Sequence, residues 1–231
     1  NVAIGWDALF NQNFTTATNA YNVAVGANAG AQISTGVQNT IIGSLAGDSF
    51  SDADFNVAVG MQSLTSDTLG SHSVGLGYYT LAVQNFTTAT DAYNTAVGSK
   101  AGAAVTTGKF NTLIGGLAGD ALNTGGNNVV LGYSALTSET GGTRSTAIGN
   151  LALQNQNLNT ESHNTAVGYG AGSTITSGNG NTFMGYAAGD STDDGASNTA
   201  VGYSALSANC GDSNVALGAS AGALITGGYN V

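Results

Sequence analysis

The stretch "NTAVGSKAG", residues 94–102, returns as "NTAVGYGAG" at 164–172 and as "NTAVGYSAL" at 198–206. Its first five residues, Asn-x-small-aliphatic-Gly, recur along the whole chain. The closing glycine falls at Gly5, Gly26, Gly43, Gly60, Gly77, Gly98, Gly115, Gly132, Gly149, Gly168, Gly185, Gly202 and Gly218. The gaps read 21, 17, 17, 17, then 21, 17, 17, 17, then 19, 17, 17, 16. A rung of about 17 residues is thus nested in a four-rung superperiod of 72 residues, with a shortened third copy. A strict short period means a stack of repeated units.

The five motif positions, slots one to five, read as one rung. Slot one is Asn except at Ser73 and Ser145, and slot two is always Val or Thr. Slot four is always a large aliphatic residue, from Ile4 and Val25 to Val201 and Leu217. β-Branched residues at alternating positions predict a short strand. Slots two and four share a face, and their bulk assigns that face to the core. Gly at slot five marks a crowded corner, and Asn at slot one either marks the other corner or ladders its amide with the Asn one rung away. Ala at slot eight, replaced only by Ser63 and Thr80, predicts a second inward position. Slot nine carries a code: Leu9, Gly30, Gly47, Leu64; Leu81, Gly102, Gly119, Leu136; Leu153, Gly172, Gly189, Leu206. The fold read from these slots is all-β, a parallel β-solenoid (β-roll or β-helix) of about 13 rungs.

No boundary interrupts the array, so residues 1–231 form one continuous unit, with superrepeats at 6–77, 78–149 and 150–218 and a partial one at 219–231. The chain starts and stops inside a motif, as expected of a window on a longer polypeptide. The first rung of each superrepeat is long; "FNQNFTTATNAY" and "AVQNFTTATDAY" read as loops protruding at regular intervals. Pro is absent, as continuous ladders require.

Charged residues make up only 7% of the chain, with a net charge of −10. Three basic residues cannot clamp a phosphate backbone, so nucleic acid is excluded as a partner, and an anionic membrane surface equally. No apolar run reaches membrane-spanning length. "GASAG" at 218–222 imitates a nucleophile elbow, but sister rungs place Asn28, Lys100 and Gly170 where Ser220 stands, and no acid–His pair accompanies it. The chain reads as no enzyme and as needing no cofactor. Calcium is the one metal its loops suggest, through Asp48, Asp52 and Asp54 and again through Asp190, Asp193 and Asp194; solvated turns account for the same residues. Asn13 and Asn85 head Asn-x-Thr glycosylation sequons.

The thirteen motifs together resemble the head repeats of trimeric autotransporter adhesins and the repeat regions of phage tail-fibre proteins. The resemblance implies parallel β-rolls, three chains wound about one axis, exposed outside a cell to bind a surface receptor or glycan. The 17-residue rung and the four-rung superperiod depart from that family. The function expected is a structural fibre segment, extracellular or virion-borne, acting as a stiff spacer or adhesive head. Two alternatives stand beside it: a subunit of a self-assembling extracellular filament, and an ice- or glycan-binding solenoid. The ice reading needs a threonine ladder on an exposed side, which a core-facing slot two does not supply.

Slot three sets the expected chain number. With slots two and four inside, slot three points outward, yet no copy is polar: Ala24, Ile41, Ala58, Ala96, Leu113, Val130, Ala166, Phe183 and Ala200 are typical. An outward apolar stripe needs a cover, and the expectation is a homo-oligomer, a parallel trimer with those residues at its interface.

Overall fold

The computed structural model describes residues 1–231. Thirteen three-residue strands, from Val2–Ile4 to Val215–Leu217, form one parallel sheet in which each rung pairs with the next. Register is uniform: Val23 lies against Thr40, Ala24 against Ile41 and Val25 against Ile42, and so on along the stack. The chain is the expected all-β solenoid. Strand covers slots two to four only; tight turns complete each rung, and they stack through main-chain bonds as the strands do. Leu64 donates to the Thr80 carbonyl at 2.9 Å, and Gly102 to that of Ala118 at 3.0 Å.

The facing is the reverse of that expected. Slot three lies inside: Ala24, Ile41, Ala58, Ala96, Leu113, Val130, Ala166, Phe183 and Ala200 are wholly buried in the chain's own core. Slots two and four point outward. Strand alternation fixes which residues share a face but not which face is inside. In this rung the two walls lie too close for a row of large aliphatics. Alanine fills slot three in most rungs and meets the buried alanines of slot eight, among them Ala29, Ala101 and Ala171.

The slot-nine code is a volume code. In rungs whose slot nine is Gly, slot twelve holds Ile33, Phe50, Val105, Leu122 and Ile175, with Thr192 after Gly189 the exception. The space a slot-nine side chain would take is filled by Phe50 at Gly47 and first by the slot-three residues Ile41, Leu113 and Phe183 at Gly30, Gly102, Gly119, Gly172 and Gly189. A Cβ on Gly30 would lie 2.9 Å from Ile41 Cδ1 and 3.0 Å from Ile33 Cδ1; one on Gly47 would lie 2.6 Å from the Phe50 ring. Close packing leaves no room for both. The slot-eight exceptions compensate in the same way. Ser63 donates to the Gly75 carbonyl at 2.9 Å, and a Cβ at Gly75 would meet the Ser63 hydroxyl at 2.4 Å.

Of the two expectations for slot one, the ladder is the one that forms, and it lies inside. The Asn39 main-chain N–H donates to Asn22 Oδ1 at 2.8 Å, while Asn39 Nδ2 donates to the Ala53 carbonyl across the rung at 2.7 Å. The same pattern runs from Asn94 through Asn111 to Asn128 and from Asn164 onward. The buried ladder amides are satisfied, as burial demands, except at Asn198, whose Nδ2 has no partner.

The turns hold many non-glycine residues in the left-handed region, including Phe110 (φ 61°), Lys100 (φ 60°) and Leu136 (φ 52°). That conformation costs about 1–2 kcal/mol per residue. It persists because it aims each amide at the neighbouring rung: Phe110 donates to Ala92 at 2.9 Å and Lys100 to Tyr78 at 2.8 Å.

The second and third long rungs protrude less than expected, whereas in the first the stretch from Thr15 to Asn19 is exposed. Gly70–Ser71 and Thr90–Asp91 form a second, two-stranded parallel sheet, and Thr143 bridges Glu161 at the equivalent place. Phe86 and Ala92 are buried. In the second long rung the tip from Thr87 to Ala89 and the neighbouring Asn85 stand clear of the stack.

Candidate functional site

With slots two and four turned outward, the sheet presents a neutral, largely apolar face. Slot four displays Ile42, Leu76, Leu131 and Met184, all well exposed. Slot two carries Thr146, Thr165, Thr182 and Thr199 on four successive rungs in register. Two further columns flank the strands. Slot zero, the residue before the Asn, holds Tyr21, Phe55, His72, Tyr93 and Phe110; slot six, after the Gly, holds Met61, Tyr78, Tyr133, Tyr169, Tyr186 and Tyr203. All exposed large hydrophobic residues except Phe10, Leu224, Tyr229 and Val231 fall in these four columns. None of the thirteen acids does.

Rung spacing stacks the rings on one another. Phe55–His72 and His72–Tyr93 centroids are 4.8 and 4.9 Å apart, and Tyr169–Tyr186 and Tyr186–Tyr203 are 5.4 and 5.2 Å apart, the last two pairs within 9° of parallel. The ring faces inside these two stacks are covered by neighbouring rings, whereas Trp6, Tyr21 and Tyr133 have no stacked partner. Sugar stacking needs an open ring face, so the stacked runs favour contact through ring edges and aliphatic rows.

The residues anticipated from sequence fall elsewhere. The nine slot-three positions assigned to an oligomer interface are closed off inside the solenoid, so no second chain can reach them. The acidic groups do not converge. Asp48 accepts from the Thr65 hydroxyl, Asp52 from that of Thr35 at 2.7 Å, and Asp54 from the Val37 amide at 2.7 Å. Asp193 accepts from Thr176, whereas Asp190 Oδ1 has no partner and Asp194 is exposed. No three such side chains form a metal-binding group. Asn13 and Asn85 are both exposed, and Asn85 Oδ1 accepts from Thr68 at 3.0 Å.

The structure also reveals two buried polar clamps where one superrepeat meets the next. Gln84 donates to Asp67 Oδ2 at 2.6 Å and to Ser73 Oγ at 3.0 Å, and accepts from Asn94 at 2.8 Å. Asp67 Oδ1 accepts from the Gly70 and Phe86 amides at 3.0 and 3.3 Å. The second clamp repeats the design with Glu139, Gln156, Ser145 and Asn164: Gln156 donates to Glu139 and Ser145, both at 2.9 Å, and accepts from Asn164 at 2.8 Å. All these side chains are buried. Ser replaces Asn at slot one in these two rungs because the glutamine amide occupies the space and makes the bond. The signal was in the sequence: Ser73 and Ser145, the only breaks in the Asn column, each precede a Gln by eleven residues.

Burial pushes the Asp67 carboxyl above the ordinary aspartate value, and donors from Gln84, Gly70 and Phe86 only partly offset it. Burial likewise raises Asp48, Asp54, Asp120 and Asp190. A raised folded-state value means that the native chain binds these protons more tightly than the unfolded chain. Stability is therefore expected to fall as pH rises from the ordinary aspartate range through the raised values, and then to level off. Urea midpoints measured across that window check this, and Asp67→Asn should flatten the slope. A midpoint that climbs with pH there would contradict it.

Comparison of the chain with protein-family models, with curated proteins and with solved structures finds no match.

Proposed function

We propose that the chain is a stiff fibre segment, extracellular or virion-borne, that acts as a spacer or adhesive head. The observation that carries this reading is the unbroken thirteen-strand ladder in constant register, with a long rung at the start of each superrepeat. Such a stack resists bending because every rung is bonded to both neighbours, and it places the tips near Asn13, Asn85 and Asn159 along one rod. The repeat resemblance to adhesin heads and tail fibres supports the same reading. Adding a second copy of residues 78–149 should lengthen the particle by four rungs, about 19 Å at ~4.8 Å per rung, as read by small-angle scattering. Immunogold labelling of the producing cells or particles should then mark projecting fibres. A compact particle whose length does not follow rung number, or a label confined to the cell interior, defeats the proposal.

A second reading draws support from the threonine run Thr146–Thr165–Thr182–Thr199, which the observed facing turns outward. A flat, neutral ladder of hydroxyl and methyl groups at rung spacing suits an ordered water lattice. Shaping of ice crystals by the purified chain, abolished by Thr182→Lys, is the result this reading requires.

A further inference from the structure

We infer that the sheet face is an interface between two copies of this chain, packed face to face about a two-fold axis parallel to the rod. The inference is independent of the fibre reading: a dimer that builds no fibre would keep the one and refute the other.

Extent is the first argument. Thirteen strands ~4.8 Å apart and six residue steps of ~3.4 Å give a face of about 60 by 20 Å, on the order of 1,000 Å². A stable protein interface buries roughly 800 Å² per partner, and monomers rarely expose an apolar patch so large.

Charge is the second. The net charge of −10 would oppose association of two copies if it were spread evenly. It is not, because every acid lies outside the four outward columns. The basic residues of slot zero have partners on their own chain: Arg144 pairs with Glu161, His163 lies 3.6 Å from Glu161, and His72 lies 3.8 Å from Asp91. The face can pair with itself without stranding a charge.

Shape is the third. In such a pair each rung meets the same rung of the other copy, and slot zero of one lies opposite slot six of the other. The two columns are complementary in size. Tyr21, Tyr93 and Phe110 at slot zero share their rungs with Ala27, Ser99 and Gly116 at slot six; Tyr133, Tyr186 and Tyr203 at slot six share theirs with Asn127, Gly180 and Ser197 at slot zero. A ridge therefore meets a hollow in these six rungs, and the ridge changes sides half-way along the rod. Only the rungs of Phe55, His72 and His163 carry large residues in both columns. A two-fold pair covers a single flat face completely, whereas a three-fold ring needs two apolar faces on each copy.

Sedimentation of the 231-residue chain at tens of micromolar should give twice 22.6 kDa. Met184→Lys, at an exposed slot-four position, should yield a monomer with an unchanged circular-dichroism spectrum. In a Cys210→Ser background, Phe110→Cys with Gly116→Cys should cross-link two copies on oxidation, while either cysteine alone should not. The two positions lie at opposite ends of one strand, too far apart for a bond within a chain. A monomer, a trimer, or a dimer indifferent to Met184→Lys overturns the inference. So does a dimer that never forms the 110–116 bond. A monomer that shapes ice or adheres to insoluble glycan would overturn it too and assign the face to that ligand.

Discussion

Leu113→Asp is expected to abolish folding, while Val97→Asp, in the adjacent rung, is expected to leave the solenoid intact. Leu113 is wholly buried and packs against Gly102 and Gly119, so a carboxylate there has neither water nor a donor. The cost of burying an unpaired charge, at least several kcal/mol, is comparable to the whole stability of a typical domain. Val97 occupies slot four, points outward and is only partly covered; its substitution should cost about 1 kcal/mol or less in the single chain. Circular dichroism and urea titration of the two variants decide the matter. Normal folding of Leu113→Asp, or collapse of Val97→Asp, would restore the opposite facing.

The second large effect is expected at slot five. A Cβ on Gly132 would lie 2.4 Å from the carbonyl oxygen and 2.5 Å from the carbonyl carbon of Gly149, at a φ of +147°. Neither rung can yield, because Gly149 stands in the same relation to Gly168. Steric overlap and backbone strain each contribute a few kcal/mol. Gly132→Ala should therefore lower stability by about 3–5 kcal/mol, with an urea midpoint to match. Gly116→Ala is the control. Its Cβ would meet nothing closer than 3.5 Å, and the change should be nearly silent. Equal effects at the two positions would mean that the glycine column does not set the rung contact.

Much of this architecture is legible in the amino-acid order. The period, the strand at slots two to four, the crowded glycine corner and the inward alanine of slot eight follow from residue types that have few other uses at fixed spacing. Facing does not follow. Slots three and four are both apolar, and hydrophobicity alone cannot choose between them; a core too thin for leucine on both walls makes the choice. Slot-one asparagine lies inside because its amide is bonded there in every interior rung but that of Asn198, which needs the partner at Ala53 or its equivalents to be known. The clamps are hard to read from sequence because their members lie 17 residues apart and act only once rungs are stacked. Leu136 and Phe110 gave no hint of left-handed backbone; only glycine at Gly172 and Gly180, in the same slots, pointed that way. The exposed face, the best candidate for function, follows from the facing of slots two and four and not from their hydrophobicity.

Thirteen near-identical rungs pose a problem of alignment. Any strand could pair with the wrong neighbour, displaced by 17 residues, and lose almost none of its main-chain bonds. The clamps remove that degeneracy. If the rung of Gln84 looped out and the next took its place, Asp67 would face Val105 and keep no side-chain donor. Glu139 would likewise face Ile175 instead of Gln156. A frameshifted stack thus strands a buried carboxylate at every superrepeat junction it crosses, whereas a correct one strands none. Asp67 and Glu139 act as fiducial marks: they add little to the strength of the ladder, yet they tell a growing stack where it is.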